Sequence, residues 1–268
     1  MKLPIYDQKN AKTGEQELPS QFSEPFRPDL IKKAVLTLQN NARQKYGAKP
    51  EAGKRHSAEL SRRRRKYRGS YGHGISRDTR KIMTRRGTRF YWVGAVSPHT
   101  RGGRRAHPPK SEKNWKQKIN KKENCKAIRS ALAATLNKEI VTERGHHLPK
   151  EYPFILDNNV EKISKTKEFQ IVLQKLNFQE ELNRSLIKKI RAGLGKLRGR
   201  KYRRKKGLLI VVGEECPLLK SSQNIPGLDI VKVNQLNAEL LAPGTIPGRI
   251  TLYTANAIKK LTENKLFQ

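Results

Sequence analysis

The chain has 268 residues, with 59 Lys and Arg against 23 Asp and Glu and a net charge of +36. A solvated surface mixes both signs, so an excess this large points to a polyanion; nucleic acid fits better than an anionic membrane, because no basic stretch carries a sustained apolar face. No run of about 20 apolar residues is present to span a bilayer, Met1-Lys-Leu-Pro-Ile-Tyr-Asp7 lacks a secretory apolar region, and Cys125 and Cys216 have no metal-type spacing. Both cysteines are expected to be small core residues in a reducing cytoplasm.

In chain order, short apolar pieces through Glu17-Leu-Pro19 suggest a hairpin. Pro28-Asp29 opens a helix, with Leu30, Ile31, Ala34, Val35 and Leu38 on one stripe, running to about Tyr46. Gly47 and Pro50 end it, and order returns near Glu112. Cys125, Ile128, Leu132 and Leu136 mark a second helical face, and Asn137 with Thr142-Glu-Arg-Gly145 a short helix with a glycine stop. Phe154-Ile-Leu156 is expected as a strand. One helix then follows through Phe169, Val172, Leu173 and Leu176, and another through Leu182, Leu186 and Ile190. Gly207-Leu-Leu-Ile-Val-Val212 suits a strand buried on both faces. Strands at Leu228–Val233 and Ile250–Tyr253 alternate with helices at Asn234–Leu241 and Ala255–Leu261. This alternation predicts an α/β fold, a largely parallel sheet flanked by helices, with a long basic loop inserted between two helices. The whole of 1–268 is expected to be a single α/β domain, with 47–110 as its extended loop.

Between Arg43 and Lys110 lie about twenty Lys and Arg and only three acids, Glu51, Glu59 and Asp78. A connection far beyond about 15 residues is functional or disordered, and like charge at this density has no reason to be compact without phosphates. The candidate RNA ligands begin with Lys54 and Arg55, then Arg62, Arg63, Arg64, Arg65, Lys66 and Arg68. Arg77, Arg80, Lys81, Arg85, Arg86 and Arg89 follow. Arg forks grip phosphates, while the interleaved Tyr67, Tyr71, Phe90, Tyr91 and Trp92 offer stacking faces and the glycines permit close backbone approach. That mixture favours structured RNA over an address tag. In Gly102-Gly-Arg-Arg-Ala-His-Pro-Pro-Lys110, two glycines allow a sharp turn and the prolines fix an extended exit. Arg101, Arg104, Arg105, His107 and Lys110 are the ligands there; His107 has no nearby carboxylate or nucleophile pattern and is assigned a hydrogen bond rather than catalysis.

A second basic element runs from Arg191 to Lys206 and offers Lys196, Arg198, Arg200, Lys201, Arg203, Arg204 and Lys205. Its glycines follow a helix and precede a strand, the reverse of a dinucleotide fingerprint, and no Gly-Lys-Ser/Thr is present. It is therefore expected to grip RNA, not a nucleotide. His146-His147 is a helix-end feature without the partners a metal needs. No metal, cofactor or catalytic residue is expected.

Several blocks resemble large-subunit ribosomal protein four, in its archaeal and eukaryotic branch. They are Ser76-Arg-Asp-Thr-Arg-Lys-Ile-Met-Thr-Arg-Arg-Gly-Thr-Arg-Phe90, Gly102–Lys110, Ser130-Ala-Leu-Ala-Ala134, Arg191-Ala-Gly193 with Lys196, Asn224-Ile-Pro-Gly227, Asn237-Ala-Glu-Leu-Leu-Ala-Pro-Gly244 and Pro247-Gly-Arg249. They lie in order from about 20 to 265, and the absence of a long lysine-rich tail after Leu266 favours the archaeal form. The resemblance implies a structural, non-enzymatic protein of the cytoplasmic ribosome. Its globular domain would lie on the outside of the large subunit, its loop threaded through ribosomal RNA to the peptide exit tunnel. The implied tunnel-lining tip is Gly72, His73, Gly74, Ile75, Ser76, Arg77, Asp78, Thr79 and Arg80. The implied partners are large-subunit rRNA, neighbouring ribosomal proteins including ribosomal protein twenty-two, and the nascent peptide, with no membrane and no homo-oligomer. Two departures stand out. Arg77-Asp78-Thr79-Arg80 replaces the family's usual Arg, apolar residue, Pro and Arg, placing a negative charge beside RNA, and Leu194 stands where Lys is usual. An RNA-modifying enzyme would need a glycine-rich turn after a strand or a nucleophile with its base, and a packaging protein would carry its charge on regular helices; neither pattern is present.

Overall fold

The computed structural model describes residues 1–66, 69–86 and 89–268, with backbone alone at 82–85 and 89–91. Two compact units are formed, one from residues 1–42 and 116–268 and one from 43–115.

In the first unit, β1 (Lys2–Tyr6) and β2 (Lys12–Glu17) make the expected antiparallel hairpin. Helix α1 (Pro28–Asn41) starts on Pro28 with Asp29 in its first turn and buries Ile31, Ala34 and Val35. It stops five residues short of Tyr46, because nothing beyond Asn41 is buried and Asn41 is drawn to Gln117, giving Nδ2 to its carbonyl and taking its N–H at 2.8 Å. The second unit carries β3 (Arg80–Arg86) and β4 (Arg89–Gly94). The first unit resumes with α2 (Lys121–Leu136) and α3 (Lys138–Glu143), separated at Asn137, whose side chain accepts from Glu139 N. Gly145, at φ +87°, supplies the left-handed stop expected after α3. Then come β5 (Ile155–Leu156), α4 (Thr166–Lys175) and α5 (Gln179–Leu186). Ile190 is not on a continuing helix; it lies in β6 (Lys189–Ile190), paired with β7 (Tyr202–Arg203), since Leu186, Ile187 and Ile190 face solvent and no apolar stripe sustains another turn. Strand β8 (Leu209–Val212) is followed by α6 (Leu218–Ser221), β9 (Asp229–Lys232), α7 (Ala238–Leu241), β10 (Thr251–Thr254) and α8 (Ala255–Glu263). The helix expected over 234–241 divides because Asn237 is extended and caps the Leu240 N–H, leaving a single turn before it and a short helix after it.

The six-stranded sheet has the order β2-β1-β5-β10-β8-β9, antiparallel at β1–β2 and parallel elsewhere. Side chains alternate across it. Leu209 and Val211 face one core with Ile155 and Tyr253, under α1, α2, α7 and α8. Leu208, Ile210 and Val212 face the other with Leu156 and Leu252, under α3, α4, α5 and α6. Both faces are covered, so β8 is apolar at every position, the signature of a central parallel strand. The alanines of α2 let α1 approach closely, and Ser130 accepts from Arg27 N at 2.7 Å while donating to Pro25 O, fixing the entry to α1.

Candidate nucleic-acid interface

The unit from 43 to 115 is held together by backbone. Ala48 donates to Pro109 O at 2.9 Å, Glu59 and Arg80 exchange two bonds at 3.3 and 3.2 Å, and Ala95 donates to Thr79 O at 2.9 Å. The limbs touch where glycine lets them. A Cβ on Gly53, already at φ +76°, would sit 2.6 Å from Arg104 Cα; within the turn at 97–103, one on Gly103 would lie 2.0 Å from Ser97 O. The unit also carries the antiparallel β3–β4 pair, which sequence inspection did not find. Its ladder pairs Arg80 with Gly94 and Arg86 with Arg89, with an irregularity between Ile82 and Thr84. The available signal was Gly87-Thr88 between two runs of strand-forming residues, obscured by their charges.

Most of the described basic side chains of this unit are exposed. Lys54, Arg55, Arg62 to Lys66, Arg77, Arg86, Arg101, Arg105, His107 and Lys110 are exposed, and Arg80, Lys81 and Arg104 are half-buried. Arg68 lies outside the described residues, as do the side chains of Arg85 and Arg89. Among the tip candidates, Gly72 to Arg77 are exposed and Asp78 to Arg80 half-buried. Asp78 does not stand alone: His99 Nε2 lies 2.7 Å from its Oδ2, and this bond holds its carboxyl below the ordinary value. Thr79 donates to Ala95 O at 2.6 Å. The departure at 78–79 thus fastens the two limbs together. Tyr71 carries guanidinium groups at 5.4 Å (Arg77) and 5.9 Å (Arg64) from its ring centre. Where the limbs end, Trp115 stacks with Tyr46 at 5.8 Å and takes the Arg43 guanidinium at 4.0 Å and Lys113 Nζ at 4.3 Å over its ring. Sequence inspection missed this cluster, since Arg43 and Trp115 are 72 positions apart and only the closed neck brings them together.

The second basic element is a hairpin pairing Lys189 with Arg203 and Ile190 with Tyr202. Lys196, Arg198, Arg200, Lys201, Arg203, Arg204 and Lys205 are all exposed. Its foot, by contrast, is clamped by half-buried Arg184 and buried Arg249. Arg184 Nη2 donates to Lys206 O at 2.8 Å, Arg249 Nε to Gly207 O at 2.8 Å, and Arg249 Nη2 to Asp229 Oδ2 at 2.6 Å. Arg249 is 1% exposed, so its carboxylate partner and three carbonyl bonds satisfy a guanidinium that could not otherwise be buried. Glu181 binds Arg184 at 2.5 Å, His146 Nδ1 at 2.8 Å and the His147 N–H. Burial raises its pKa, but the bonds from Arg184 and His146 outweigh that and leave it at about 2. Burial pushes His146 down despite Glu181, so its Nδ1–H donates as a neutral imidazole. The two protons of Arg184 Nη2 are taken by Glu181 and Lys206 O, so its approach to Nδ1 at 2.9 Å is a contact without a bond. Several of the sequence blocks that carry the resemblance recur here. Gly227, at φ +79°, lies against Ser185, Gly248, at φ +84°, lies against Ile140, and Arg144 binds the carbonyls of Pro243 and Pro247.

Among the described residues, no group of three or more His, Cys, Asp or Glu could hold a metal, and no helix is long and apolar enough to cross a membrane. The family described as ribosomal protein L4/L1 matches residues 16–264. The chain belongs to the ribosomal protein L4/L1 family. A protein named large ribosomal subunit protein uL4 from Nanoarchaeum equitans is 50% identical over 268 residues, 100% of both chains. Proteins of the same name from Archaeoglobus fulgidus and Methanocaldococcus jannaschii are 43% and 41% identical, each covering 98% of this chain and 99% of their own length. Membership gives this L4/L1 chain a structural role in the ribosome and makes it a non-enzyme, in agreement with the archaeal resemblance.

Proposed function

We propose that the chain is a structural constituent of the large ribosomal subunit of the cytoplasm, where it binds and stabilises large-subunit rRNA. The loop from 47 to 110 penetrates the RNA, and its tip, residues 72–80, reaches the peptide exit tunnel beside ribosomal protein twenty-two. The observation that supports this most is the unit from 43 to 115: a backbone-paired element with exposed cations and, among its described residues, few buried side chains, which gains from a surrounding shell of phosphates what it lacks in apolar contact. The hairpin at 189–203 adds a second cationic contact.

Binding of the purified chain to large-subunit rRNA across a salt series tests the reading. Neutralising about ten phosphates gives a slope of log K against log salt of about −7 to −9, and a slope near −2 would show that most of the charge never meets the backbone. For the tip, a stalled nascent peptide should crosslink within 72–80; crosslinks confined to 92–99 would move the tip to the end of β4 and the turn after it.

A further inference from the structure

The cations of the β6–β7 hairpin have a reason to be exposed, but its apolar side chains do not. Ile190, Leu194, Leu197 and Tyr202 all stand in solvent, Leu197 with 80% of its surface free. They are not scattered. Ile190 and Tyr202 are direct cross-strand partners and so share one face. Leu194 and Leu197 are three apart through a single 3₁₀ turn, closed by Leu197 N to Leu194 O at 3.1 Å, which sets their side chains one above the other. Within the hairpin the described bonds are backbone to backbone, or Arg191 Nε to Arg200 O at 3.1 Å, so no core of its own uses these residues.

A partner must cover this apolar surface and tolerate its surroundings. From Lys188 to Lys206 there are eleven Lys or Arg and no acid. An apolar protein surface would have to desolvate those cations unpaired. RNA meets them with phosphate, but a regular duplex offers little to leucine: the A-form major groove is closed to side chains and its minor groove is lined with 2′-hydroxyls. Base faces freed from stacking are the apolar part of RNA. Tyr202 has a lysine Nζ 5.5 Å from its ring centre on each of two approaches, from Lys188 and Lys201, which sets phosphate ligands beside a stacking surface.

We propose that this hairpin holds unpaired nucleotides of ribosomal RNA, with Leu194, Leu197, Ile190 and Tyr202 against base faces and the lysines and arginines on the flanking phosphates. The inference rests on the RNA-binding function proposed above and names the kind of RNA that one element takes. Leu194 takes on a role here that a lysine at that position could not fill.

Photocrosslinking tests it in the full chain assembled into large subunits, with p-benzoylphenylalanine in place of Leu194, of Leu197 and, as a control in the other unit, of Arg64. Crosslinks from 194 and 197 should map to nucleotides without a Watson–Crick partner. Crosslinks to paired nucleotides or to a protein would overturn the inference. The absence of any RNA crosslink from all three positions would instead overturn the RNA-binding reading itself. In solution, Leu194→Ser with Leu197→Ser should weaken binding to large-subunit rRNA about ten-fold at fixed salt, the scale of one lost base contact, with an unchanged salt slope. Lys196→Gln with Arg198→Gln should make the slope shallower. A leucine double variant that binds like the parent would also overturn the proposal.

Discussion

The two units of this chain solve opposite problems with the same backbone chemistry. In the unit of 1–42 and 116–268, every position of β8 is buried, two apolar cores flank the sheet, and the charges taken inside are matched, Arg249 by Asp229 and Glu181 by Arg184, with neutral His146 donating to Glu181 as well. In the unit of 43–115, hydrogen bonds join the limbs in much the same way, yet among the described residues only small side chains such as Ser70 and Ala95 are buried. Hydrogen bonds give direction, but apolar burial gives most of the net stability. The first unit therefore carries the apolar burial that stabilises a fold, and the described part of the second has little of it.

The sharpest way to break this contrast is to place a charge in the first unit's core. Val211→Asp buries an unpaired carboxylate between two covered faces, costing several kcal/mol, enough to unfold a marginal domain; a thermal melt by circular dichroism should lose its cooperative transition. The next effect is smaller and local. Arg249→Met removes the guanidinium from three carbonyls and leaves Asp229 with Lys206 alone. Asp229 is partly exposed and keeps Lys206, so the cost is about 1–3 kcal/mol, from the unpaired carbonyls and the lost guanidinium, and hydrogen exchange should show faster opening at Gly207 and Leu208 than at β5. A parental melting temperature would show that the clamp is not holding the hairpin's foot.

Acid should act on the first unit gradually. His146 and Glu181 both bind protons less readily in the folded chain, so the stability they contribute is complete at high pH. His146 begins to withdraw its share as pH falls below 6.5, and Glu181 as pH falls from 4.5 towards about 2. Urea midpoints measured from pH 7 to pH 3 should fall throughout, and Glu181→Gln should flatten the part below 4.5. The smallest effect on folding should come from the largest deletion. Removing residues 56–100 takes no member of either core, so the melting temperature should move by only a few degrees. Limited proteolysis of the intact free chain should cut first within 48–110. Equal protection of both units would abolish the distinction between them.

Sequence periodicity located most of the fold because a strand buried on both faces must be continuously apolar, as at 207–212, and a packed helix must carry a stripe, as at 28–41. It failed where tertiary contacts set the boundary. Asn41 ends α1 by pairing with Gln117, Asn237 interrupts the helix expected over 234–241, and exposed Leu186 and Ile190 counterfeited a helical face beyond α5. The candidate interface divides the same way. Its cations were legible one by one, because a run such as Arg62–Arg65 has no bland place in a core. The pairing of Asp78 with His99, the Trp115 neck and the arginines under the second hairpin were not.

By itself, then, the sequence determined the α/β class and the place of the basic insertion between α1 and α2, and its charge is what the proposed RNA partner rests on. These follow from composition and local spacing, which act residue by residue. Only the tertiary structure decided that Asp78 ties two limbs together, that Arg249 is buried while its neighbours in charge are not, and that Leu194 joins Ile190, Leu197 and Tyr202 on an exposed hairpin. Those outcomes depend on which distant groups the folded backbone brings within a few ångströms, and a buried ion pair or a shared face has no signature in either residue alone.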